Sequence, residues 1–369
     1  MNNRDPRPLV VGLLVLVERL LCRGGLYFND GPAHLQAINT QVYVIQPPGY
    51  WLFNRIAGLF SDPLVAITIM NIGFSVVGTI VFYYTARLFT DANKAFIASV
   101  AYSAIFFVWF SGAIHSTYAS QLLFPGLLFY LLLRYDGERK VWMLVAAGVS
   151  FALGTGFRPS DGAFLLPMVG YYALTRLGGK NGVGFLAYCS LLCLVWLLPT
   201  VVAYRHTTGD IAGAFHYVSW ITSIRSPITE VNIYTIANAV RVVLALVVAF
   251  WPILFAAVYH GWKERSDWRT RMLLIWILPG ALFFMLSHMG GPPYLNYMTA
   301  AVLLITVAAT RMMVLTAVWN AALFLFFVPI SSSQLAFNVL NAYVGRYTRV
   351  AIEQQWSPNL EEFKDEATN

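Results

Sequence analysis

Polar residues of the kinds that do chemistry are scarce in this chain, and they gather at the ends of apolar stretches. Asp30 stands in Asn29-Asp30-Gly31-Pro32, directly after the first such stretch. A carboxylate at a water–lipid boundary can take the proton of an attacking hydroxyl. An Asp ahead of Gly-Pro also suits the start of a helix, and spacing alone leaves both readings open. His34 follows one turn later on the same helical face, where it can orient Asp30, bind a substrate or face water. Gln46 and Tyr50 flank the turn Pro47-Pro48-Gly49, His115 and Tyr118 follow another apolar stretch, and His288 and Tyr294 bracket a Gly-Gly-Pro-Pro run. Arg158-Pro159-Ser160-Asp161 marks a proline break where an apolar segment emerges. An arginine at that level can hold a phosphate through two parallel hydrogen bonds. Ordinary snorkelling, or a salt bridge to Asp161, is the alternative, and Asp161 is also placed to cap the helix that follows. Arg205 and Arg225 are further phosphate candidates.

What must position these residues follows from composition. Of the 369 residues 58% are hydrophobic and 11% charged, against roughly 25% charged in soluble domains, and the mean hydropathy is +0.63. Such a chain needs lipid as its solvent, and lipid admits only helices or closed barrels. Segments of about twenty apolar residues are the unit. Eleven are expected, over 9–26, 64–89, 95–112, 118–133, 141–157, 162–175, 183–203, 236–260, 272–287, 295–310 and 312–330. The fold class is therefore an all-α polytopic membrane protein. With the N-terminus inside and the C-terminus outside, Arg87, Lys94, Arg134, Arg139, Lys140, Arg176, Lys180, the basic residues of 263–271 and Arg311 all fall on the cytoplasmic side, as the positive-inside rule requires. The candidate site residues then share the opposite face. The expected location is the inner membrane, with the site on the periplasmic, extracytoplasmic side.

The same placement accounts for the net charge of +7 without nucleic acid, since no basic stripe interleaved with stacking aromatics occurs. Five of six histidines fall on the outer side, yet none has ligand spacing, so no cofactor is expected and a divalent ion stays an alternative. No phosphate-binding glycine loop or nucleophile elbow is present. Glu18 and Arg19 interrupt the first segment. Being adjacent, they are expected to point apart and to need partners on other helices or a wet cavity, a pattern that marks function by default. The long outer loops run over 27–63 and 204–234, with short helices expected over 32–43 and 52–60. Residues 1–330 read as one membrane domain, and 331–369 as an external amphipathic helix with a disordered acidic end.

The order of these features resembles the GT-C glycosyltransferases, in particular the branch of protein O-mannosyltransferases, aminoarabinose transferases and RgtA/B/C/D-like proteins. The resemblance rests on Asp30 after the first segment, the Pro47-Pro48-Gly49-Tyr50 turn before the second, and the turn from His288 to Tyr294. It implies a sugar donor on polyprenyl phosphate, a hydroxyl acceptor attacking the anomeric carbon, Asp30 as the base, and arginines, Arg158 foremost, on the leaving phosphate. Many relatives carry a second acidic residue where this chain reads Ile114-His115-Ser116-Thr117-Tyr118, so His115 either substitutes for it or binds the acceptor, or the activity is altered. A lipid or glycan acceptor is expected ahead of a protein. Two other classes stand beside this one: a transporter or flippase, which would put broken helices and charges near the midplane, and a non-catalytic assembly subunit.

Overall fold

The computed structural model describes residues 5–21, 30–40, 49–208, 233–286 and 292–327. Among these the chain is helical throughout. The helices are α1 (Arg7–Leu21), α2 (Asp30–Thr40), α3 (Trp51–Ala57), α4 (Pro63–Ala86), α5 (Ala92–Ala104), α6 (Phe106–Ala113), α7 (Ser120–Glu138), α8 (Val141–Phe157), α9 (Pro159–Tyr172), α10 (Gly179–Thr208), α11 (Ile233–Lys263), α12 (Trp268–Leu286), α13 (Asn296–Ile305) and α14 (Thr310–Phe327). Ten of the eleven expected apolar segments coincide with a single helix to within a few residues, and α8 has the expected bounds. The short helices of the first loop appear as α2 and α3. The expected tail helix, and most of the 204–234 loop, lie outside the described residues.

Helix starts follow local chemistry. Asp62 caps α4, accepting from Leu64 N at 2.8 Å and Val65 N at 3.2 Å, with Pro63 at the first helical position. Asp91 does the same for α5, accepting from Asn93 N and Lys94 N, each at 3.0 Å. Two departures from the sequence reading are informative. The segment over 95–112 is two helices, bent by 58° at Ile105. The amide of Phe106, freed by that bend, donates to Asn320 Oδ1 of α14 at 3.0 Å, so a distant side chain satisfies what the helix no longer does. Asp161 is not a cap: Arg158 holds the cap position of α9, and Asp161 sits buried inside its first turn.

Packing inverts the soluble pattern. On α1, Leu9, Leu13, Leu14, Val17 and Leu21 are exposed while Val11, Val15 and Arg19 are buried. α4 lies against α1 and α7, α7 against α8, α8 against α10, and α12 against α9, α11 and α13. The α4–α7 contact is close enough that a Cβ on Gly78 would overlap the Leu122 carbonyl, so only glycine fits there. The core is strongly aromatic, with Phe82 and Tyr102 stacked 4.5 Å apart. By length and composition four helices suffice to cross a membrane, over Pro63–Ala86, Gly179–His206, Asn238–Lys263 and Trp268–Leu286, and the bent α5–α6 pair makes a fifth.

Candidate functional site

One end of the bundle collects the ends of α8 and α6 and the starts of α9, α7 and α13. Arg158 lies at its centre, 4% exposed. Pro159 forces the break that turns this side chain inward, since it cannot continue the hydrogen bonding of α8. The guanidinium lies 4.1 Å over the Tyr118 ring and 5.3 Å from that of Tyr294, and those two rings are 5.2 Å apart. Its Nη1 donates to Thr117 Oγ1 at 3.2 Å, and its Nε is 3.5 Å from Asp161 Oδ1. Gln121 Nε2 donates to the same carboxylate oxygen at 2.6 Å. The arrangement is a buried cation set against two adjacent aromatic rings and balanced by one carboxylate. Desolvation strengthens both kinds of contact.

Residues of α2 and α3 adjoin this cluster. His34 of α2 is buried, its Nδ1 2.9 Å from Asn54 Oδ1 of α3, with the Tyr50 ring 5.0 Å and the Phe53 ring 5.1 Å from its own. Burial brings its imidazole down to about 4, a shift that the positive charge of Arg158 extends and the Asn54 hydrogen bond opposes. His115 sits in the turn after α6, its Nε2 2.7 Å from Thr68 Oγ1 of α4. Burial brings it too to about 4, against the pull of Asp62. Both rings are therefore neutral near pH 7, so they act as hydrogen-bonding groups rather than charges.

The sequence-derived candidates thus divide. Arg158, Asp161, Tyr118 and Tyr294 come together, and His34 and Tyr50 adjoin them. His115 stands on the same 114–118 turn as Thr117 and Tyr118. Asp30 is the first residue of α2; its side chain, with Gln46, Arg225 and His288, lies outside the described residues. Arg205 is exposed on the last turn of α10 and makes none of the Arg158 contacts given above. Gln121, Thr117 and Asn54 were missed. Each is an uncharged polar residue in an apolar run, and only the fold reveals its partner. Among the described residues no three His, Cys, Asp or Glu side chains converge on a point that could hold a metal ion. Glu18 and Arg19 correct another expectation: neighbours on α1, they pair with each other, Glu18 Oε1 lying 2.9 Å from Arg19 Nη1. Long side chains reach around the helix surface where Cβ directions diverge.

The fold is shared with solved membrane transferases. ArnT from Cupriavidus metallidurans, in a structure with bound undecaprenyl phosphate, superposes with a TM-score of 0.60 over 82% of this chain and 59% of its own, at 17% identity. The Archaeoglobus fulgidus oligosaccharyltransferase in its apo form gives 0.54 over 99% of this chain and 60% of its own, at 14% identity. At these identities the likeness is one of fold alone. Residues 46–203, less than half of the chain, match the family model described as dolichyl-phosphate-mannose-protein mannosyltransferase. A Pseudomonas fluorescens protein, undecaprenyl phosphate-alpha-4-amino-4-deoxy-L-arabinose arabinosyl transferase 2, is 26% identical over 261 residues, which is 67% of this chain and 43% of that protein. The chain therefore spans less than half the length of this curated relative.

Proposed function

We propose that this chain is a multi-pass inner-membrane glycosyltransferase. It moves a sugar from a polyprenyl-phosphate donor to a hydroxyl of a lipid or glycan acceptor at the extracytoplasmic face. All eleven apolar segments cross the bilayer, with the N-terminus inside, and residues 331–369 lie outside the membrane domain. The observation that carries the reading is Arg158, a buried guanidinium set against two adjacent tyrosine rings beside α2 and α3. The names of the relatives, which speak of undecaprenyl phosphate and of lipid-linked sugars, fit that chemistry.

In the reaction the acceptor oxygen forms a bond to the anomeric carbon, and the bond from that carbon to the phosphate oxygen breaks. The acceptor proton passes to the Asp30 carboxylate, and the electron pair leaves with the phosphate. A departing phosphate needs positive charge more than a proton, and a preorganised guanidinium in a dry site supplies it. Tyr118 and Tyr294 hold its plane, while Asp161, steadied by Gln121, keeps it from swinging away. His34, Tyr50 and His115 line the acceptor side, with Gln46, Arg205, Arg225 and His288 as further substrate contacts.

The test is transfer from a radiolabelled undecaprenyl-phosphate sugar in proteoliposomes, with Asp30→Asn and Arg158→Gln compared with the parent protein. Loss of product in both, at normal membrane expression, supports the reading. Unchanged product in Asp30→Asn favours an assembly subunit, and lipid movement across the vesicle without transfer favours a flippase.

A further inference from the structure

Arg19 takes no part in the site described above, yet it is the more costly arginine to keep. It stands about 18 Å along α1 from Arg7, by the helical rise of 1.5 Å per residue. Its side chain is 0% exposed. Among the described residues none of its three guanidinium nitrogens has a hydrogen bond of acceptable geometry, and the adjacent Glu18 is its only ion pair. A buried cation so poorly satisfied lowers stability relative to an apolar residue of the same size, so a membrane helix retains one for another reason.

The neighbours supply that reason. Arg19 lies flat on the backbone of α6: a Cβ on Gly112 would overlap both Arg19 Nε and Ser75 Oγ of α4. Two residues on, the Ile114 carbonyl accepts from Asn71 Nδ2 of α4 at 2.6 Å. His115 then meets Thr68 at 2.7 Å, and Thr117 Oγ1 accepts from Arg158 at 3.2 Å. The six residues from Gly112 to Thr117 are thus held at one end by Arg19 and hold Arg158 at the other.

We infer that Arg19 is a positioning residue: packed across Gly112, it fixes the end of α6 and so the turn that aims the Arg158 guanidinium. It touches no substrate. A long planar group is needed to span α1 and α4 across a bare glycine, which is why neither a shorter cation nor a residue with a Cβ at 112 fits. The claim rests on Arg158 being a phosphate-holding group, and its test is designed to separate the two.

The experiment measures undecaprenyl phosphate binding and thermal melting on the full chain in detergent. Arg19→Met removes the buried charge at similar volume. It is expected to leave the melting temperature unchanged or raised, while weakening undecaprenyl phosphate affinity about tenfold, the order that a displaced binding group costs. Arg19→Lys is expected not to restore affinity. Gly112→Ala should weaken binding in the parent background and much less so in Arg19→Ala with Ser75→Ala, where the overlap is relieved. Arg19→Met with parental affinity would overturn the inference, as would a loss of affinity that merely follows lost folded protein. If the parent chain binds no undecaprenyl phosphate, the functional reading fails instead. The coupling between 19 and 112 in melting temperature then still reports on the clamp, and its absence would sink it.

Discussion

The two ends of the bundle use the same residues to opposite effect. At the basic end, Arg176 meets Asp136 at 2.8 Å and stacks 4.5 Å over Trp268, Lys140 pairs with Glu138 at 2.7 Å, and Arg139 with Asp136 at 3.3 Å. Arg139 and Lys140 are more than half exposed there. At the site end, Arg158 keeps a comparable set of contacts, an Asp, two tyrosine rings and a hydroxyl, at 4% exposure. Arginine beside an aromatic ring is therefore not a mark of function in this protein. Water screens the first set, which ties helix ends together. Exclusion of water makes the second set rigid and its charge effective at short range.

The contrast can be broken or sharpened by substitution. The largest effect belongs to Arg158: Arg158→Gln is expected to reduce sugar transfer by about 100-fold or more, and Arg158→Lys to rescue little, because an ammonium lacks the planar fork. Transfer in proteoliposomes measures both, and near-parental turnover in Arg158→Gln would erase the distinction between the ends. Next come the rings. Tyr118→Leu and Tyr294→Leu each remove one aromatic face and should cost about fivefold to tenfold in undecaprenyl phosphate affinity, in line with a cation–π contact of about 1 kcal/mol. Trp268→Leu at the basic end should leave that affinity unchanged.

Acid supplies a third, smaller difference. His34 and His115 sit near 4 in the folded chain against an ordinary 6.5. Between those values only the unfolded chain takes up the protons. Stability is therefore complete above pH 6.5, declines as the pH is lowered towards 4, and levels off below it. For His34 the full loss is about 3 kcal/mol. Melting curves from pH 7 to pH 4 should show the decline, and His34→Gln should flatten it; a flat parental profile would mean the rings are not buried as described. The smallest effect is expected from Lys94→Gln, which breaks an exposed pair with Asp91 at 3.4 Å and should leave melting and transfer unchanged.

Much of this was legible in the sequence. Apolar length and the sidedness of Lys and Arg located nearly every helix, because those signals are local and lipid enforces them. Arg158-Pro159 announced a helix start for the same reason. The break at Ile105 was not legible, since no proline or glycine stands there and its compensation comes from Asn320. Gln121 as the partner of Asp161, and Asn54 as that of His34, were hidden likewise: the contacts join residues 40 and 20 positions apart. Asp161 was taken for a cap because sequence fixes where a helix begins more readily than what its first turn faces. Glu18 and Arg19 were expected to part because Cβ directions were weighed and side-chain reach was not.

The bond from Phe106 to Asn320 spans 214 positions of chain, and it bears on biogenesis. As the ribosome feeds helices into the bilayer in order, the start of α6 emerges with a donor that no earlier segment satisfies. The turn at residues 114–118 follows that helix, so one of the bonds that fix its far end waits for α14. A nascent chain stalled before residue 320 would lack the acceptor that this amide meets in the finished fold.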